Sequence, residues 1–240
     1  MSELEGGLTN TSYLIEAGSR RGVLRINNPQ AHKLGVCRRS EITILKKLQS
    51  TDFVPRFYFA NNSILVTEYI DGHALDAETA LKPEIKKQIE LNLAVIQSFE
   101  FTDIDPLNYE SYLREYCEQL SQKDFDENIK QALFRIARNI DNQDWIPVLC
   151  HHDLIPENII QGPKGLFLID WEYAALGHPQ FDYQRLLNSH HFMDLPADIC
   201  GLQALQAIMI QLWYAIRYPE LQETVKNELI KIIETVNLRV

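Results

Sequence analysis

The hydrophobic period of this chain changes at Asp71-Gly72, and that change limits its fold more than any other feature. Before the break, apolar runs are short and punctuated by turn residues. Tyr13–Ile15 and Val23–Ile26 flank a Gly-Ser-Arg-Arg-Gly break, the pattern of a β-hairpin. The runs FYFA and SILVTEYI, with Asn61-Asn62 between them, predict two more strands joined by a turn. One amphipathic segment, residues 38–49, interrupts them, with Ile42, Leu45 and Leu48 at helical spacing. After the break the period is near 3.6. Residues 83–100 carry Ile85, Ile89, Leu93 and Ile96 on one face, and residues 126–140 carry Ile129, Leu133, Ile136 and Ile140. Residues 109–121 predict a further helix. Leu166–Ile169 is a short apolar strand, and the chain from about Gln180 is helical, broken at Pro196 and Pro219. The expectation is an α+β chain. A small antiparallel β-sheet lobe spans residues 1–70, a larger mainly helical lobe spans 71–240, and a cleft between them takes the ligand.

Composition narrows the function classes. The chain has 240 residues, 45% of them hydrophobic, so it can build a core without disulfides or a structural metal. A net charge of −10 argues against a nucleic-acid partner, which needs basic surface. Cys37, Cys117, Cys150 and Cys200 show no CxxC pair and no zinc spacing. The start, MSELEGGLTN, has neither the basic nor the apolar region of a signal peptide. Residues 199–216 are apolar but interrupted by Gln203, Gln206 and Gln211, which suits a buried helix rather than membrane insertion. The expected location is cytoplasmic.

Polar residues of catalytic type then sit directly against core-like runs. HHDLIPENII, residues 151–160, places Asn158 five positions after Asp153. GLFLIDWEYAALGHPQFD, residues 165–182, ends an apolar strand on Asp170. Asp153 could accept a proton, while Asn158 and Asp170 could supply one neutral and one charged oxygen. That pair suits Mg²⁺, which keeps sites for water and substrate phosphates. The order of base, amide ligand and later strand-end aspartate is that of kinase catalytic and metal loops.

HHDLIPEN matches an HxDxxxxN pattern and IDWEY an IDxE pattern. With GGLTNTSYLIE and VLRIN at the front, the chain resembles the aminoglycoside phosphotransferase and choline/ethanolamine kinase superfamily. LIDWEYA is also similar to segments of bacterial choline and thiamine kinases. The resemblance covers nearly the whole chain. It implies a two-lobed protein-kinase-like fold and transfer of phosphate from ATP, with Mg²⁺, to a small-molecule alcohol. By the same resemblance Asp153 is the catalytic base, and Asn158 and Asp170 are the metal ligands. Gly6, Gly7, Thr9 and Asn10 form the nucleotide loop. Arg25 stands where many relatives carry a phosphate-binding lysine, and Glu41 is its ion-pair partner. His151 and Asp182 support the catalytic loop. Arg25 departs from the commoner lysine, as choline kinases also do. The first strand is almost absent, since only MSELE precedes GGLTN. There is no DFG, HRD or APE, which argues against a protein kinase.

The acceptor is less constrained. Glu172, Trp171 and Tyr173 place charge and aromatic surface beside the metal aspartate, and Trp213, Tyr214 and Tyr218 share one helix. Aromatic faces and carboxylates suit a cationic alcohol. Choline is the first expectation, thiamine the second, and ethanolamine or an aminoglycoside the third. Core packing is the plain alternative for the aromatic helix. Two other classes compete: a nucleotide-binding pseudokinase without turnover, and a metal-dependent hydrolase built on His152, His178, His190 and His191. No HExxH or HxH pattern supports the hydrolase. The sequence leaves the oligomeric state open.

Overall fold

Gly18 takes a φ of 62°, the left-handed value that a two-residue hairpin turn asks of its first central residue. It joins β2 (Thr11–Ala17) to β3 (Arg20–Ile26), with Ala17 directly opposite Arg20. The polar break read from the sequence is thus mostly strand, and the turn is Gly18-Ser19 alone. The computed structural model describes residues 1–4, 9–120, 125–187 and 197–238. Ahead of the hairpin, β1 (Ser2–Leu4) pairs with β2. The first strand is therefore present, although only three residues long. With β4 (Phe57–Ala60) and β5 (Ile64–Glu68), these strands form an antiparallel sheet in the order β1-β2-β3-β5-β4.

Between β3 and β4 runs α1 (Arg38–Lys47), continued by one tight turn at Leu48–Ser50. Its inward face is Glu41, Ile44, Leu45 and Leu48. Ile44 is fully buried while Ile42 is only half-buried, so the helix is rotated relative to the face expected from Ile42. The rotation is what brings Glu41, a charged residue, inside.

Beyond Asp71 come β6 (His73–Ala74), α2 (Ala77–Ala80), α3 (Pro83–Gln97), α4 (Tyr109–Glu118) and α5 (Glu127–Asp141). Asp76, Asn108 and Asp126 cap α2, α4 and α5 by accepting a backbone N–H three residues on. The strands β7 (Val148–Cys150), β8 (Ile159–Gly162), β9 (Gly165–Leu168) and β10 (Ala175–Gly177) follow, then α6 (Phe181–Leu187), α7 (Ala197–Arg217) and α8 (Gln222–Asn237). The strand expected at Leu166–Ile169 is β9, and it is not alone. It pairs with β8, which pairs in turn with β6, while β10 pairs with β7. These short ladders hold the segment 151–158 from both sides.

Two buried clusters support the site. One joins α4, α5, α7 and α8 through residues such as Leu113, Leu133, Ile140, Leu205, Leu212 and Leu229. The other runs from Leu65 of β5 and Ile44 of α1 to Ile89 of α3, Leu149 of β7 and Leu168 of β9. The sheet thus shares one apolar core with the strands that carry the site. Among the described residues, no helix is long and apolar enough to cross a membrane.

Candidate active site

The stretch HHDLIPENII begins where β7 ends. His151 and His152 donate their backbone N–H groups to the two oxygens of Asp182, at 2.6 and 3.0 Å. Asp182 is fully buried, so these bonds offset the cost of placing a carboxylate there. Burial pushes its pKa up, and His151 and the two amides pull against that. The His151 ring donates to the Ile169 carbonyl (2.8 Å), which places the ring proton on Nε2 and ties this loop to the segment before Asp170. His152 has a φ of 62°, a costly value for a residue with a side chain. Its ring packs on Phe181 and lies 3.3 Å from the Tyr109 hydroxyl. Burial pushes its pKa down to about 3, so the imidazole is neutral.

Asp153 and Asn158 form one unit. The Asn158 amide donates to Asp153 Oδ2 (3.1 Å) and to the Asp153 carbonyl (2.9 Å), which leaves the amide oxygen for another partner. Asp170 is the other residue with a side chain and positive φ among those described, at 61°. It lies two residues past the end of β9, and 41% of its side chain is open to the cleft. Its pKa is pushed up to about 7 by desolvation and then by Glu172, against the pull of Arg25.

Opposite stands Arg25 of β3, only 7% exposed. Its guanidinium donates to both oxygens of Glu41 (2.6 and 2.7 Å), to Asn27 (3.0 Å) and to Asp170 (3.3 Å). The Arg25–Glu41 pair expected from the sequence is a buried contact in which Nη2 alone meets both carboxylate oxygens. A second guanidinium, Arg38, was not foreseen. It donates to Glu41 (3.0 Å), Glu172 (2.9 Å) and Asn10 (2.7 Å). Its signal was the i,i+3 spacing to Glu41, which places both on one helical face. Asn10 also donates to Glu172 (2.7 Å) and accepts from the Asn28 backbone (3.1 Å). It therefore acts as a brace between elements.

The aromatic expectations divide. Trp171 is 2% exposed, donates to the Leu168 carbonyl and packs on His151, so it offers no face to an acceptor. Glu172 is 4% exposed and committed to Arg38 and Asn10. Burial turns Trp171 away from the cleft, while Glu172, fixed by its ion pair, is among the residues that line the neighbouring cavity. Tyr173 is half-buried; its hydroxyl accepts from Trp213 Nε1 at 2.8 Å and meets the Thr9 side chain. Trp213 is also half-buried, while Tyr214 is exposed and stacks on Tyr218. Tyr112 and Tyr116 were missed, although they are four apart on α4; their hydroxyls bond at 2.8 Å. Gly35 has a φ of 80°, and a Cβ there would lie 2.1 Å from the Tyr112 hydroxyl oxygen. A cavity of about 560 Å³ is lined by residues that include Tyr112, Glu115, Tyr173 and Met209. Gly6 and Gly7 lie outside the described residues, as do His190 and His191.

A family profile described as the phosphotransferase enzyme family matches residues 1–215. Protein LicA of Haemophilus influenzae is 26% identical over 216 residues, 80% of this chain and 59% of that protein. Ethanolamine kinase 2 of Rattus norvegicus is 27% identical over 90% of this chain and 59% of its own. The chain thus spans about three-fifths of these two relatives. Among solved structures, the choline kinase LicA from Streptococcus pneumoniae superposes with a TM-score of 0.78 at 21% identity, covering 98% of this chain and 94% of that one. That likeness shows the kinase-like α+β fold.

Proposed function

This chain belongs to the phosphotransferase enzyme family, and from that membership we propose that it transfers the γ-phosphoryl group of ATP to the hydroxyl of a small alcohol. The observation that carries the reading is the site itself: the Asp153–Asn158 unit on one loop, with Asp170 facing Arg25 across the cleft. Asp153 takes the base role, orienting the acceptor hydroxyl and receiving its proton late, because a loose transition state needs positioning more than deprotonation. Arg25, fixed by Glu41, presents a permanent charge to the phosphates. Arg38 and Asn10 hold Glu172, which keeps the segment after Asp170 in place.

The residues fit Mg²⁺. The Asn158 amide oxygen and the open Asp170 carboxylate are hard oxygen donors, and the desolvation and neighbouring Glu172 that raise Asp170 are offset by an added positive charge. Mg²⁺ held there by Asn158 and Asp170 would supply positive charge against the phosphate charge that develops on transfer.

For the acceptor we favour a cationic alcohol, with choline first, thiamine second, and ethanolamine or an aminoglycoside third. The half-buried Tyr173–Trp213 pair supports this order, since each well-placed aromatic face attracts a cation by about 0.5–2 kcal/mol. The name of the Rattus norvegicus relative, an ethanolamine kinase, also points to a small cationic alcohol. The test is a panel of these alcohols with ATP and Mg²⁺, read as ADP release and phosphorylated product. ATP binding without transfer to any alcohol would mean a pseudokinase.

A further inference from the structure

The two carboxylate oxygens of Asp153 have different neighbours. Oδ2 accepts the Asn158 amide at 3.1 Å, and Oδ1 lies 3.4 Å from Arg185 Nη2. Arg185 belongs to α6 and follows Asp182 by three residues, so one helical face holds the loop twice. Asp182 takes two loop amides, and Arg185 meets the base. Arg185 and Asp153 are 25% and 31% exposed, so their contact borders open space and not the core. Asn158 occupies the oxygen on the proposed metal side, which leaves Oδ1 for an acceptor hydroxyl.

We propose that Arg185 is a specificity-determining positioning residue, which orients Asp153 through Oδ1 and sets a fixed positive charge beside the acceptor hydroxyl, penalising acceptors whose cationic centre lies next to that hydroxyl. The inference rests on the alcohol-phosphotransferase reading and deepens it. A hydroxyl ready to give up its proton sits about 2.6–3.2 Å from the base. In a short cationic alcohol the ammonium lies two carbons further, which puts the two positive centres roughly 7 Å apart. The guanidinium stays charged at any accessible pH. At an effective dielectric of about 20 to 40, removing one of two such charges changes affinity about seven- to fiftyfold. The aromatic pair Tyr173 and Trp213 attracts the same cation, so acceptor preference is the balance of the two effects.

Choline and its uncharged isostere 3,3-dimethylbutan-1-ol share a shape and differ in charge. The reading is the ratio of their kcat/KM values in the wild type, Arg185→Gln and Arg185→Lys. Arg185→Gln is expected to raise the choline-to-isostere ratio about seven- to fiftyfold, while kcat falls for both alcohols. Arg185→Lys keeps the charge and stays within about threefold of the wild-type ratio. Arg185→Met keeps the aliphatic stem and gives the same rise, which serves if the glutamine variant does not fold. An unchanged ratio in the neutral variants, with both alcohols turned over, overturns the inference and leaves the phosphotransferase reading standing. A wild type that phosphorylates no alcohol of the panel overturns that reading, and this inference with it.

Discussion

Asp153, Asp170 and Arg25 lie around one cleft but reach it from three different elements, so their substitutions separate. Asp153→Asn keeps the shape of the Asn158 contact and removes the proton acceptor. We expect kcat to fall about 10²- to 10⁴-fold, with Mg·ATP affinity nearly unchanged. Asp170→Ala removes the charged oxygen and weakens Mg·ATP binding instead. Titrating nucleotide and metal into both variants by calorimetry checks the split; near wild-type turnover in Asp153→Asn means another residue is the base. Arg38→Met tests the second guanidinium. It leaves Glu172 without its ion-pair partner, nearly fully buried. Breaking such a pair costs about 3–5 kcal/mol, read as a lower urea midpoint. An unchanged midpoint would mean that these carboxylates are solvated when Arg38 is lost.

At the scale of elements, α4 matters most, because it carries the aromatic residues near the base and is fastened to α5. Glu110 of α4 receives Arg114 of the same helix and Arg138 of α5. Bonds from Arg138 and then Arg114 pull its pKa from 4.5 to about 2. A carboxylate depressed on folding stabilises fully above pH 4.5, and that contribution is lost as pH falls toward 2. Glu110→Gln is therefore expected to lower the melting temperature at pH 7, with the gap to wild type closing between pH 4.5 and 2. A gap that does not depend on pH would point to packing rather than charge. Gly35 meets a different face of α4, the one that carries Tyr112. Gly35→Ala puts a methyl group into the Tyr112 ring at a backbone angle that suits glycine. A loss of about 1–3 kcal/mol is expected, together with a raised KM for the acceptor. Wild-type stability in that variant would show that Tyr112 moves freely.

For the whole molecule, the burial of the catalytic loop couples folding to protonation. His152 is neutral when folded, with a pKa near 3 against 6.5 for the free ring. The unfolded chain binds that proton first, so this contribution to stability is lost as pH falls from 6.5 toward 3. The His152 ring resonances should keep the pattern of neutral imidazole down to pH 5. A titration near 6.5 would show that the loop opens to water. The shared cluster from Leu65 to Leu168 gives a physical reason for the sheet and the strands flanking Asp153 to unfold together.

Most of the fold was legible in the chain, because hydrophobic period is a local property. Ile129, Leu133, Ile136 and Ile140 marked α5, and all four are buried. The spacing of Asp153 and Asn158 likewise marked a loop whose two side chains bond directly. Other features depended on partners far away in sequence. β8 was hidden inside the motif, since a four-residue strand carries little signal until β6 and β9 pair with it. The rotation of α1 followed from Glu41 meeting Arg25, which residue spacing could suggest and only the sheet could enforce. Trp171 and Glu172 looked like acceptor contacts because they adjoin Asp170 in sequence. The turn after the strand buries the Trp171 ring and ties Glu172 to Arg38, and burial, which sequence adjacency does not encode, decides what a side chain can touch.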